Sequence, residues 1–303
     1  MSYNLLSLDY EADLATLTFN RPEKRNAISP EMIAELLTAL DEISRSAARV
    51  AILTGAGKAF CSGLDLEALR EMAVQAAPAE QRSQAAAQEP PTAGVMDVAV
   101  RVLKGQTEEP GPSSPMAEPT AMATESSRTL ARVFRRIYDF PKPLIAAVNG
   151  AAIAGGCGIA TLCDFTLAVP EAKFGYTEVR IGFVPAIVSV FLLRQIGEKH
   201  ARDLLLTGRI IDAEEAYFLG LVSEIVAEDK LIGRARELAN QLLENSPTSL
   251  SSAKQLLTNL GRHEIDRELE LAIEANARIR STPDFYEGLS AFLEKRKPVW
   301  HPQ

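Results

Sequence analysis

Apolar and polar positions alternate at the start of the chain, so that residues 3–9 and 14–19 read as two paired strands around the turn Tyr10-Glu11-Ala12-Asp13. The period then changes. Met32, Ile33, Leu36, Leu37, Leu40 and Ile43 recur at three- and four-residue steps, which puts them on one face of a helix begun by Pro30 and capped by Ser29. Two short unbroken apolar runs, Val50-Ala51-Ile52-Leu53-Thr54 and Leu144-Ile145-Ala146-Ala147-Val148, read as buried strands of the kind covered on both faces. Strand, turn and helix units repeat through residue 197 and argue an α/β core.

From residue 198 the pattern turns helical, with amphipathic runs near 199–206, 213–219, 229–245, 248–260, 264–280 and 283–294. Ser246-Pro247 and Thr282-Pro283 mark boundaries between them. The reading is a core over 1–197 and a helical region over 198–303. Residues 71–127 interrupt the core with seven prolines, no aromatic residue and an Ala/Gln/Glu/Ser bias. Such a stretch buries little apolar surface against its ordering entropy, so it is expected to be a mobile excursion, helical at its ends and around 95–104. It is either a lid or, by default, a tolerated surface insertion.

Two glycine-containing turns carry the candidate chemistry. Phe60-Cys61-Ser62-Gly63-Leu64-Asp65 follows the first buried strand, and Asn149-Gly150-Ala151-Ala152-Ile153-Ala154-Gly155-Gly156-Cys157-Gly158 follows the second and leads into the helical run Ile159-Ala160-Thr161-Leu162-Cys163. A helix that begins near Gly155 and Gly156 leaves free N–H groups at its positive end, and glycine lets a ligand approach the backbone. Two such turns together could aim two N–H groups at one oxygen, the geometry that stabilises the enolate formed by proton transfer beside a thioester.

Read with Asn20-Arg21-Pro22-Glu23-Lys24-Arg25-Asn26-Ala27-Ile28, the two turns resemble the enoyl-CoA hydratase/isomerase (crotonase) family. Phe174-Gly175-Tyr176-Thr177-Glu178, Leu205-Leu206-Thr207-Gly208, Ala216 to Val222 and Glu287 to Pro298 extend the resemblance in the family's order. It implies a ββα-spiral core with a C-terminal helical region that builds a homotrimer or a dimer of trimers. It also implies that the backbone N–H groups of Leu64 and Gly155 form the oxyanion hole. Lys24, Arg25, Ala27, Ser62, Gly63, Leu64, Asp65, Leu66, Gly155 and Gly156 would then hold the acyl-CoA, which is substrate rather than cofactor.

Family hydratases typically carry one glutamate three positions after the oxyanion glycine and a second in the following strand-turn. The first of these positions is Gly158 here, and the second is Glu178. The resemblance makes Glu178 the acid and base. Apolar neighbours such as Val179, Ile181, Phe183 and Val184 would raise its pKa, whereas composition alone would make it an exposed carboxylate paired with Arg180. One carboxylate suffices in principle for hydration or for double-bond migration. The alternatives are a branched-chain, methylglutaconyl-CoA-like hydratase, suggested by residues 182–189, another acyl-CoA reaction on the same scaffold, or a non-catalytic acyl-CoA-binding protein.

Composition narrows the field. With 303 residues, 47% hydrophobic content and a net charge of −8, the chain is long enough for a substantial core and lacks the basic bias of a nucleic-acid surface. Lys24, Arg25 and Lys295-Arg296-Lys297 are the basic groups available to the coenzyme's phosphates. Cys61, Cys157 and Cys163 have no metal-ligand spacing and read as buried thiols, and His200, His263 and His301 form no metal pattern. No metal, nucleic-acid or membrane partner is expected, and with no signal segment visible the expected location is cytoplasmic.

Overall fold

The opening alternation folds as a hairpin in the computed structural model, which describes residues 3–76 and 118–300. Strand β1 (Leu6–Glu11) runs antiparallel to β2 (Leu14–Phe19), with Leu6 opposite Phe19 and Glu11 opposite Leu14. The turn is therefore only Ala12 and Asp13, shorter than the four polar-looking residues suggest. Tyr10 and Glu11 stay in the strand with their side chains in solvent, and Ala12 adopts the positive φ (50°) of a two-residue loop.

Four parallel pairings extend this hairpin. Strands β3 (Val50–Gly55), β5 (Leu144–Val148), β7 (Phe165–Ala168) and β10 (Glu224–Ile225) complete a six-stranded sheet ordered β1-β2-β3-β5-β7-β10, parallel from β2 onward. Every residue of β5 is buried, as both-face coverage of a parallel sheet requires. Strands β4 (Ala59–Cys61), β6 (Ala151–Ile153), β8 (Lys173–Gly175) and β9 (Ile210–Asp212) form a second sheet, ordered β4-β6-β8-β9. Consecutive strands β3 and β4, β5 and β6, and β7 and β8 go to different sheets, and a helix follows each pair. This repeat is a ββα spiral.

The helix Pro30–Arg45 buries Met32, Ile33, Leu36, Ala39, Leu40 and Ile43, and the Ser29 hydroxyl accepts the Met32 N–H at 3.2 Å, a cap worth about 1 kcal/mol. The helix Ala121–Tyr138 then runs beside it, and the short helix Gly155–Leu162 packs between that helix and the sheets. The short helix begins at Gly155, where the glycine pair placed it, and ends at Leu162 with Cys163 as its C-cap.

The region after residue 198 is not purely helical. Strands β9 and β10 fall within it and pair with β8 and β7, so the chain is stitched back into both core sheets before the last helices begin. The helix Ala186–Thr207 crosses residue 197, where Gly197 (φ 74°, ψ 164°) breaks it into two arms. Helices Leu231–Leu243, Pro247–Leu260, Arg262–Ile279 and Pro283–Leu293 follow. Ser246 and Thr282 cap two of them, accepting the N–H groups of Ser249 and Phe285. The helix Arg262–Ile279 lies on Ala121–Tyr138 and Ala186–Thr207, while Pro283–Leu293 covers the turn that contains Glu178. Of the insertion at 71–127, residues 77–117 lie outside the described residues, including the expected helical patch at 95–104 and any lid. Its two ends are the helices Leu66–Ala76 and Ala121–Tyr138. Among the described residues no helix is long and apolar enough to cross a membrane.

Candidate active site

One wall of the site is made by backbone laid against backbone. The segment 20–28 is held by Asn26, which is fully buried: its Nδ2 donates to the carbonyls of Ala56 and Ala59 at 3.0 and 2.8 Å, and its Oδ1 accepts the Arg21 N–H at 2.8 Å. Arg25 and Asn26 both have positive φ (50° and 56°), a conformation that Asn tolerates well. The segment then zips along the first glycine turn. Ser62 N–H donates to Arg25 O at 3.1 Å, Ile28 N–H to Gly63 O at 2.7 Å and Asp65 N–H to Ile28 O at 2.9 Å. In this parallel bridge between Ile28 and Leu64, the neighbours Gly63 and Asp65 make the contacts. Leu64 N–H is left without a partner among the described residues.

The second glycine turn meets the first closely. A Cβ on Gly156 would lie 2.3 Å from the Cys61 carbonyl oxygen, and one on Gly63 would lie 2.9 Å from the Ala154 Cβ and 3.7 Å from the Gly155 nitrogen. Ala154, just before the helix, has φ 51° and ψ −125°, and its N–H donates to Gly175 O at 2.7 Å. Gly155 is the first residue of the helix, so its N–H has no intrahelical acceptor. The two donors that the family resemblance implies, Leu64 N–H and Gly155 N–H, therefore belong to residues that line one cavity.

That cavity is about 460 Å3 and mostly apolar, lined among others by Leu69, Leu130, Phe134, Ile181, Phe183 and Val184. Glu178 opens the short 3-10 turn Glu178–Ile181 and reaches into it. Its side chain is buried, with 8% of its surface exposed, and Oε2 has no hydrogen-bond partner among the described residues. Burial pushes its pKa up from 4.5 to about 7, so both protonation states are populated near neutrality. It makes no ion pair with Arg180, which lines the same cavity from an exposed position. Ile181, Phe183 and Val184 provide the apolar surroundings, whereas Val179 turns away toward Gly208.

The other sequence candidates divide into two groups. Arg25, Ser62, Leu64, Leu66 and Gly155 line the cavity with Glu178. Lys24, Ala27, Gly63, Asp65 and Gly156 lie outside its wall. Lys24 is ion-paired with Glu67, and Gly63 and Gly156 serve the close approach of the turns. Asp65 caps the helix Leu66–Ala76 through the Glu67 and Ala68 N–H groups and accepts Arg21 Nη1 at 2.7 Å, which occupies its carboxylate in holding the turn. Of the C-terminal basic cluster, Arg296 reaches the cavity and is paired with Glu287 and Glu294. Sequence reasoning passed over Phe134, Val188 and Asn276, whose helical spacing marks them only as packing positions. Among the described residues no cluster of three or more His, Cys, Asp or Glu is placed to hold a metal.

The chain resembles known proteins over nearly its whole length. The sequence profile described as Enoyl-CoA hydratase/isomerase matches residues 9–92 and 114–303. A Thermus thermophilus protein whose name refers to enoyl-CoA hydratase is 41% identical over 286 residues, covering 94% of this chain and 96% of its own. The short-chain-enoyl-CoA hydratase of Clostridium acetobutylicum is 31% identical over 300 residues, covering 98% and 97%. Among solved structures, an enoyl-CoA hydratase from Mycobacterium avium superposes with a TM-score of 0.75 at 29% identity, covering 99% of this chain and all of its own. With the profile spanning nearly the whole chain and the relatives matching end to end, this protein belongs to the enoyl-CoA hydratase/isomerase family.

Proposed function

We propose that the chain adds water across the double bond of a 2-enoyl-CoA, with Glu178 as sole acid and base. The observation that carries this reading is Glu178, buried and with Oε2 unpartnered among the described residues, lining the same cavity as Leu64 and Gly155. Ionised Glu178 takes a proton from water as the water oxygen bonds to C3, and electron density moves through C2 onto the thioester oxygen. The two N–H groups stabilise that enolate, each worth roughly 2.7–4 kcal/mol of barrier. Protonated Glu178 then returns the proton to C2, which leaves one water added and the carboxylate restored. Arg25 and Arg180, which form no ion pair among the described residues, are placed on the cavity wall to meet phosphates of the coenzyme.

A second reading is favoured by Gly158. With no side chain there to help hold a water, Glu178 would instead move a proton from C2 to C4 of a 3-enoyl-CoA and shift the double bond. The absorbance of conjugated 2-enoyl-CoA, with a 3-enoyl-CoA in parallel and products weighed, separates the two. Loss of conjugation with the gain of one water supports hydration; conjugation gained from the 3-enoyl substrate at constant mass supports migration. Glu178→Gln should abolish either while leaving acyl-CoA affinity. No turnover of either substrate, with coenzyme A esters still bound, would replace both readings with a binding protein.

The same reading includes assembly as a homotrimer or a dimer of trimers. Leu256, Leu257 and Leu260, each more than half exposed on the helix Pro247–Leu260, support a subunit contact. Sedimentation equilibrium of the full chain tests it, and a monomer at micromolar concentration would refute it.

A further inference from the structure

The cavity is lined by a buried polar group that the reaction at Glu178 does not use. Phe134 lies beside Gly155, its Cζ 3.9 Å from where a Cβ there would sit. Leu130 lines the cavity one turn earlier on the helix Ala121–Tyr138, and Ser127 comes about another turn before that, roughly 10 Å along the axis from Phe134. At that end stands Asn276, which lines the cavity although only 2% of its surface is exposed.

The orientation of the Asn276 amide is fixed by its neighbour. Arg280 Nη2 lies 3.1 Å from Asn276 Oδ1, and a guanidinium can only donate, so the atom facing it is the oxygen. Ser127 Oγ lies 2.8 Å from the same oxygen. The Asn276 NH2 group therefore points away from both, and it has no partner among the described residues. Behind it, Arg280 is 9% exposed, donates to Ser126 Oγ at 3.1 Å and lies 5.4 Å from the centre of the Phe183 ring. Arg280 forms no ion pair among the described residues, and its Nε is without a partner. Burial lowers its pKa to about 10, which leaves it charged at neutral pH. A buried cation with no counter-ion among the described residues, and a donor in front of it that none of them uses, favour an anion at that end.

We propose that Asn276, backed by Arg280, is the distal end of the acyl site and selects acyl-CoA substrates whose chain ends in a carboxylate. The assignment rests on the acyl-CoA reading of the cavity. The coenzyme enters past Arg25 and Arg180, the thioester lies between Leu64 and Gly155, and the chain follows Phe134 and Leu130 to the Asn276 NH2 group.

Binding tests this without turnover. Calorimetric titration of the full chain compares adipyl-CoA with hexanoyl-CoA and suberyl-CoA with octanoyl-CoA, pairs that differ only at the chain end. The carboxylate-ended ligand of at least one pair should bind roughly tenfold or more tightly. Asn276→Asp keeps the oxygen that Arg280 and Ser127 contact and puts an anion where the NH2 group was, so the preference should reverse while octanoyl-CoA binding reports a folded protein. Equal or tighter binding of the methyl-ended ligands to the unmutated chain, or an unchanged ratio in Asn276→Asp, overturns the assignment and leaves the acyl-CoA reading standing. Failure to bind any of the four overturns the acyl-CoA reading itself and this assignment with it.

Discussion

The ring of Phe134 occupies the space that a side chain at Gly158 would need: a Cβ there would lie 2.3 Å from Phe134 Cε1, with Val188 Cγ1 at 2.7 Å on the other side. Where the family pattern typically carries a glutamate, apolar bulk from two other helices fills the space instead.

Gly158→Ala tests that packing. In a helix interior, alanine is favoured over glycine by about 1 kcal/mol, but forcing a methyl into a filled core costs roughly 1–3 kcal/mol. The substitution should lower the urea midpoint at unchanged m-value, and Phe134→Leu in the same chain should recover part of the loss. A Gly158→Ala variant more stable than the parent would show that Phe134 does not fill this space.

Stability should also carry the signature of Glu178. Its pKa is about 7 in the folded protein against 4.5 for the free side chain, so folding favours the protonated form. The sign follows from proton binding: between these values the folded state holds a proton that the unfolded state has released, and stability falls as pH rises. The full contribution, roughly 3 kcal/mol, is present below pH 4.5 and lost above pH 7. The difference in unfolding free energy between the parent and Glu178→Gln should follow this curve, and a pH-independent difference would mean that Glu178 ionises normally.

Activity should respond in the opposite direction. The carboxylate must be ionised to accept a proton, so kcat/KM for 2-enoyl-CoA hydration should rise with pH and level off above an apparent pKa near 7. A profile flat from pH 5 to 8 would mean that the base is not a carboxylate with a raised pKa.

Much of this was legible in the chain because local pattern and packing agree. The stripe from Met32 to Ile43, the runs that became β3 and β5, and the glycine turns each have a period or composition that only one element satisfies. Strands β9 and β10 were not legible: at three and two residues they are too short to show a period, and their pairing partners lie far away in sequence. The same holds for Asn26, whose role depends on the carbonyls of Ala56 and Ala59, and for Asn276, which reads as an ordinary polar position on a helix until Arg280 and the cavity are placed beside it. Gly158 was legible as a departure from the family pattern, but the reason that nothing larger fits is held by Phe134, on another helix.

Neighbouring glycines in the second turn should respond very differently to the same methyl group. At Gly156 the added Cβ would lie 2.3 Å from the Cys61 carbonyl oxygen and 2.8 Å from the Cys61 carbonyl carbon, both backbone atoms that no rotamer change can move. The two turns must then separate, which shifts Gly155 N–H relative to Leu64 N–H. Loss of one oxyanion donor costs about 100- to 1,000-fold in kcat, so even a partial displacement should lower kcat by about tenfold or more. At Gly155 the nearest atoms would be Ile28 Cδ1 at 3.7 Å and Phe134 Cζ at 3.9 Å, ordinary contact distances. Gly155→Ala should therefore unfold at nearly the parental urea concentration, while Gly156→Ala unfolds well below it and turns over more slowly. Equal stability of the two variants would mean that the turns are not in contact, and the shared oxyanion site would lose its structural basis.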